Sequence, residues 1–251
     1  STQRQTALST MNLSESDMSV YRDYDHISAI AAEVTRQGAL ALVNNPLVES
    51  VQIDGEVRKT LNTARSQINV PNVEALGYTG NGINVAVLDT GIQASHPALS
   101  DDVVAQKCFD SSGNCPGGGT ESNNANDHDG HGTHVSGIIT SSNSSYTGIA
   151  TNSGIVAIRV LGPLGGSDAD IIAGLDWVYT NRNTYNIRVV NMSLGNYNFH
   201  NSACNASYPA YRSILYRLAQ AGVITVAASG NEYSRNGIIH PACDSNVISV
   251  G

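Results

Sequence analysis

The chain predicts an α/β domain, a mostly parallel sheet with helices on both faces, preceded by a smaller N-terminal α+β module. Three observations carry that prediction. Five short apolar runs recur from residue 83 onward, namely "INVAVLD", "IVAIRVL", "RVVNMSL", "VITVAAS" and "NVISV". Both faces of each run are apolar, as strands covered from two sides require. Helical stripes fall between them, and strand, helix, strand in repetition builds parallel sheets with covering helices.

Residues 1–61 read as the smaller unit. Ala39, Leu40, Leu42 and Val43 suggest a short helix stopping at Asn44-Asn45-Pro46, and "VESVQID", 48–54, reads as a strand. "EVRKTLNTARSQ", 56–67, is polar and aperiodic and reads as a linker into the larger domain, 62–251. The first buried strand runs over 83–89 and ends in Asp89; "HGTHVSGII", from His131, is apolar enough in its later residues to be a buried helix. A strand over 155–161 precedes a helix over 168–181, where Ile171, Leu175 and Val178 share one face. A strand over 188–194 follows, then a helix striped by Tyr211, Ile214, Leu215 and Leu218 and stopped by Gly222. Strands over 223–229 and 246–250 complete the pattern.

Composition narrows the function. The 251 residues are 41% apolar, enough for one sizeable core, and carry a net charge of -8. An acidic chain without a basic stripe argues against sequence-independent nucleic-acid binding, which needs Lys and Arg to displace counterions. No apolar run approaches the roughly 18 residues of a membrane span, and "STQRQTALST" lacks the basic start and apolar run of a secretory leader. Neither nucleic acid nor membrane is expected as a partner. Cys108, Cys115, Cys204 and Cys243 are even in number, and none is in Cys-x-x-Cys spacing. They lean towards disulfides and an oxidising compartment, with three connectivities open.

Functional groups in such sheets gather beyond the carboxyl ends of the strands. Asp89 ends the first strand, His131 opens a helix, and Asn231 follows the strand "VITVAASG". Singly, each has a bland reading as a cap, a turn or a helix residue. Together they supply most of what attack on an amide carbonyl needs. The carboxylate fixes the imidazole tautomer, the imidazole takes a proton from a nucleophile, and the amide donates to the developing oxyanion.

"VAVLDTGIQASHPAL" at 85–99, "DGHGTHVSGII" at 129–139, "NMSLG" at 191–195 and "VAASGNE" at 226–232 resemble, in order, the signature blocks of the subtilisin family of serine endopeptidases. The resemblance covers about residues 64–251. It implies a subtilisin-like fold, Asp89 and His131 as triad members, and Asn231 as oxyanion donor. It also implies a peptide cleft walled by Gly165 and Gly166, by Ser193, Leu194 and Gly195, and by Ala228, Ser229 and Gly230, the last three leaving room for a sizeable apolar group. The N-terminal stretches "VYRDYDHISAIAAEVT" and "GALALVNNPLVESVQID" resemble part of the family's inhibitory propeptide, a module that would end near residue 61. By the same resemblance the protein is secreted and acts on proteins or peptides, with its own propeptide as intramolecular inhibitor. The favoured disulfides are Cys108 with Cys115 and Cys204 with Cys243.

Two departures stand out. The family's nucleophile lies in a Gly-Thr-Ser-Met-Ala block after the strand resembling "NVISVG", so the serine is expected beyond residue 251. Ser193 and Ser229 are poor substitutes, since both fall in blocks resembling cleft walls. A calcium-binding carboxylate often follows "SHP" in the family, but Ala98 stands here. No cofactor is required for the chemistry, and structural calcium is left without assigned ligands. Two other readings remain: a metal-binding module using His128, Asp129, His131 and His134, and a catalytically inactive pseudoenzyme.

Overall fold

A computed structural model describes residues 16–23, 30–51, 60–163 and 165–251. The chain divides into two compact units, residues 1–58 and 59–251. In the first, β1 (Met18–Asp23) pairs antiparallel with β2 (Ile30–Val34), and α1 (Arg36–Val43) follows. Thr35 caps that helix, its hydroxyl accepting from the Gly38 N–H at 3.1 Å. The helix is where the apolar run placed it. The expected strand is not: residues 48–51 form none, and 52–54 lie outside the described residues. The chain leaving α1 instead enters a turn around Pro46, in which the Asn45 side chain accepts from Leu47 N–H and its carbonyl from Val48 N–H. β1 and β2 escaped sequence reading because residues such as Val20 and Tyr21 are exposed, which leaves no buried face to print a pattern.

In the second unit the expected linker is partly a helix. Residues 56–59 lie outside the described residues, but α2 spans Thr60–Gln67 and α3 spans Val70–Ala75. An ion pair fastens them in place of an apolar stripe. Arg65 Nη2 donates to both carboxylate oxygens of Glu74 at 2.8 and 2.7 Å, while its Nη1 donates to the Gly148 carbonyl.

The core is a seven-stranded sheet of β3 (Asn84–Asp89), β4 (Val103–Phe109), β5 (Glu121–Ser122), β6 (Gly154–Arg159), β7 (Ile187–Met192), β9 (Ile224–Ala228) and β11 (Val247–Val250), in the order β11-β9-β7-β3-β6-β4-β5. Every pairing is parallel except that of β4 with β5. The short β8 (Phe199–His200) and β10 (Ile238–Ile239) form a separate antiparallel pair. Strand alternation sorts the apolar residues. Ala86, Leu88, Val156, Ile158, Val190 and Met192 pack with α5 (Asp168–Asn181) and α6 (Pro209–Gln220) on one face. Val85, Val87, Ile155 and Ala157 pack with Val135 of α4 (His131–Thr140) on the other. This is an α/β fold with helices on both faces of a mostly parallel sheet.

The five predicted strands and the helices at 131, 168 and 211 all form. Ser167 caps α5, and Asp168 and Asp170 sit in its positively polarised first turn. Gly222, at φ 77°, ends the turn after α6. The strand predicted over 188–194 stops at Met192, which frees Ser193 and Leu194 from the sheet. Both favoured disulfides form, with Cα separations of 5.8 Å for Cys108 with Cys115 and 5.4 Å for Cys204 with Cys243. Among the described residues no helix is long and apolar enough to cross a membrane.

Candidate active site

The residues singled out in the sequence follow the carboxyl ends of neighbouring strands. Asp89 ends β3, Gly162 to Gly166 follow β6, Ser193 to Gly195 follow β7, and Ser229 to Asn231 follow β9. Parallel order alone brings these ends to one rim. At its centre, His131 Nδ1 lies 2.7 Å from Asp89 Oδ1. The Asp89 side chain is fully buried while that of His131 is 49% exposed, so the pair has a sheltered acid end and an open base end. Burial raises the Asp89 carboxyl above its ordinary value, and the hydrogen bonds from His131 and from the Thr90 N–H offset only part of that.

Local sequence explains how His131 arrives there. The helix α4 starts at His131, and the next residue is a glycine because the helix end abuts β3. A Cβ on Gly132 would strike the Gly91 carbonyl oxygen and lie 3.1 Å from Asp89 Cβ. The Gly132 N–H donates to Thr90 Oγ1 at 2.9 Å, tying the helix start to the residue after Asp89.

Asp127 was missed in the sequence. Its carboxylate accepts from the N–H groups of Asp129, Gly130 and Thr133 and from the hydroxyls of Thr90 and Thr133, at 2.6 to 3.0 Å. Only a weak signal was available: Asp127 stands three residues before the N-cap Gly130, in an Asp- and Gly-rich turn of the kind where an Asp side chain bonds following backbone N–H groups. Burial pushes this carboxyl up, but the hydrogen bonds from Gly130, Thr133 and Asp129 together outweigh it and hold it at about 2. A carboxyl held below its unfolded value of 3.8 stabilises the fold above pH 4, and that contribution fades as pH falls towards 2. Asp127→Ala should therefore cost about 1–2 kcal/mol at pH 7, allowing for partial exposure, and flatten the stability profile between pH 4 and 2. Denaturant unfolding across that range checks it; parallel wild-type and variant profiles would refute it.

The remaining site residues are placed as follows. Asn231 is exposed, and its N–H donates to Glu232 Oε2 at 2.8 Å. Gly162 and Gly165 exchange backbone hydrogen bonds at 2.8 and 3.1 Å in a tight turn, with Gly165 at φ 97°. Those amide groups are therefore engaged with each other, and Gly166 follows them, packed against the Val160 carbonyl. The Ser193 hydroxyl accepts from Asn191 Nδ2 at 3.0 Å. Ser229 bonds through its backbone to Val250 and Ile239, and Leu194 packs on the core. Among the described residues neither serine hydroxyl bonds to His131. Beyond Gly230, the Ile239 side chain comes close to both Gly195 and Gly230.

The metal-module reading does not fit. His128, Asp129, His131 and His134 do not converge, since His131 is turned onto Asp89 and the other three are exposed without gathering. Among the described residues the three ligand-type side chains that do gather are His200, Cys204 and Cys243, whose sulfurs form the disulfide. At the position expected of a calcium ligand, Ala98 brings no carboxylate, and its carbonyl already accepts from Ser142 N–H at 3.2 Å.

The family model described as the subtilase family, Peptidase S8, matches residues 80–251. The chain belongs to the subtilase family. It is 33% identical over 249 residues to the thermostable alkaline protease of Halalkalibacterium halodurans, covering 97% of this chain and 62% of that protein. It is 31% identical over 252 residues to subtilisin E of Bacillus subtilis, covering 95% and 59%. Among solved structures, the S41 psychrophilic protease superposes with a TM-score of 0.57 at 30% identity, covering 68% of this chain and 53% of that one. Sphericase superposes with a TM-score of 0.56 at 32% identity, with the same coverage. The chain thus spans about six-tenths of the length of these curated relatives.

Proposed function

We propose that the whole protein is a serine endopeptidase in which Asp89 orients, and His131 acts as general base of, an Asp/His/Ser triad. The observation that carries this reading is the 2.7 Å bond between a fully buried Asp89 and an open His131. The nucleophile in this reading is a serine outside residues 1–251. Its hydroxyl attacks the peptide carbonyl as its proton passes to His131 Nε2. Asn231 Nδ2 donates to the carbonyl oxygen as it becomes an oxyanion. His131 then returns the proton to the departing amine, leaving an acyl-enzyme that water hydrolyses by the same steps reversed in role. Asp89, accepting from Nδ1–H, keeps Nε2 unprotonated until it is needed and stabilises the imidazolium.

In this reading the chemistry is carried by side chains and requires no cofactor. Substrates are proteins or peptides, held along Gly165 and Gly166, Ser193, Leu194 and Gly195, and Ala228, Ser229 and Gly230. The N-terminal unit is part of an inhibitory propeptide. Two disulfides support an oxidising, extracellular setting.

The test is covalent labelling of the full-length protein with a serine-directed fluorophosphonate, followed by peptide mapping. Labelling is expected at one serine outside residues 1–251, with the 251-residue chain alone unlabelled and inert towards peptides. It should disappear in His131→Ala. An unlabelled full-length protein would support the pseudoenzyme instead, and a label on Ser193 or Ser229 would overturn the assignment of the nucleophile.

A further inference from the structure

The space between the two walls that follow β7 and β9 is occupied by a side chain of the protein itself. Ile239, on β10, is 6% exposed. A Cβ on Gly195 would collide with its Cδ1, and a Cβ on Gly230 would lie 3.3 Å from its Cγ2 and 3.6 Å from its Cδ1. Ile239 therefore touches both walls, and both are glycine at the points of contact. Gly230, at φ 118°, is also held in a backbone conformation that side chains rarely adopt. Glycines that face each other across a groove ordinarily leave it deep. Here the depth is taken up by a branched four-carbon side chain.

The backbone that carries Ile239 is held at several points. Its N–H donates to the Ser229 carbonyl at 3.1 Å and its carbonyl accepts from the Cys243 N–H at 3.2 Å. It pairs with Phe199 in the β8–β10 ribbon, and Cys243 is fastened to Cys204. The following residue, His240, is buried, its ring stacked on Tyr208 at 3.7 Å and edge-on to Tyr211 at 4.2 Å between centroids. A β-branched side chain on so fixed a backbone has few rotamers to retreat into.

We infer that Ile239 closes the pocket for the residue on the acyl side of the scissile bond, so that the site selects small residues there, glycine, alanine or serine, and rejects aromatic ones. This rests on the endopeptidase reading above and on the two walls being the substrate's. The physical basis is volume. A pocket filled by fixed aliphatic carbons admits a methyl group, whereas each further carbon must displace packed atoms, and single-methylene differences are already worth about 10–200-fold in discrimination.

The experiment has two arms. The full-length protein, given peptides that differ only at that residue, should cleave after alanine at least about 100-fold more efficiently than after phenylalanine. Ile239→Gly, with Ile239→Ala as a milder variant should the first fail to fold, should bring the two rates within about tenfold or reverse them. The second arm does not depend on catalysis. In the His131→Ala background, calorimetry measures binding of product-like tetrapeptides ending in alanine or phenylalanine. The alanine peptide should bind more tightly to the Ile239 form, and the preference should weaken or invert once Ile239 is shortened. Equal cleavage after phenylalanine, an unchanged ratio in the Ile239 variants, or no discrimination in binding would overturn the proposal. A protein that discriminates in binding but hydrolyses neither peptide would sustain the pocket and defeat the endopeptidase reading.

Discussion

Asp89→Asn in the full-length protein is expected to lower the rate of peptide hydrolysis by about 10⁴ while leaving the fold intact. Both halves follow from the site. Asp89 Oδ1 takes two hydrogen bonds, from His131 Nδ1–H and from the Thr90 N–H. Because both meet on the same oxygen, an asparagine loses something either way: with its oxygen kept there it has no charge to stabilise the imidazolium, and with Nδ2–H turned to His131 it gives up the Thr90 bond and fixes the imidazole proton on Nε2. That tautomer cannot accept a proton from a serine. Stability should survive because burial raises the Asp89 carboxyl, which means the fold already disfavours the ionised form relative to water. A neutral side chain of nearly the same shape relieves that penalty. Rate measurements alongside thermal unfolding separate the two effects: a wild-type rate would remove Asp89 from the triad, and a collapsed melting temperature would show its role to be structural.

Much of this site was legible in the sequence because it sits where the sheet repeats. A strand buried on both faces prints a continuous apolar run, so "INVAVLD" located Asp89 at its carboxyl end, and "VITVAAS" located Asn231. The helix at His131 was legible for a similar reason, as a buried helix packs apolar residues just after its start. Elements without such burial were not. β4 carries Gln106 and Lys107 in mid-strand, and its residues are only half-buried before Cys108, so no period appears. Residues 60–67 lack an apolar stripe since Arg65 holds α2 by charge, to a glutamate that lies in another helix. Ile239 was the least accessible of all. Its role depends on Gly195 and Gly230, distant in the chain, and a single isoleucine in "GIIHP" gives no sign of what it will face.

Gly132→Ala provides the sharpest test of how the fold builds the pair, because local preference and packing predict opposite signs. On an open helix, alanine is about 1 kcal/mol better than glycine, so an unconstrained position would be stabilised. Here the new Cβ would enter the Gly91 carbonyl oxygen and crowd Asp89 Cβ at 3.1 Å. The Gly91 backbone cannot withdraw freely, since a Cβ placed on Gly91 would itself strike the Ala125 carbonyl, to which Ile92 N–H is bonded at 2.8 Å. The helix must therefore move away from β3. Net destabilisation of about 1–3 kcal/mol is expected, typical of overpacking. The functional loss should exceed what stability explains, because His131 rides on the same first turn and a displacement of about 1 Å can cost 10²-fold in rate. Measured together, denaturant midpoints and hydrolysis rates of the full-length variant decide it. A stabilised variant with an unchanged rate would show that α4 does not depend on Gly132 to bring His131 onto Asp89.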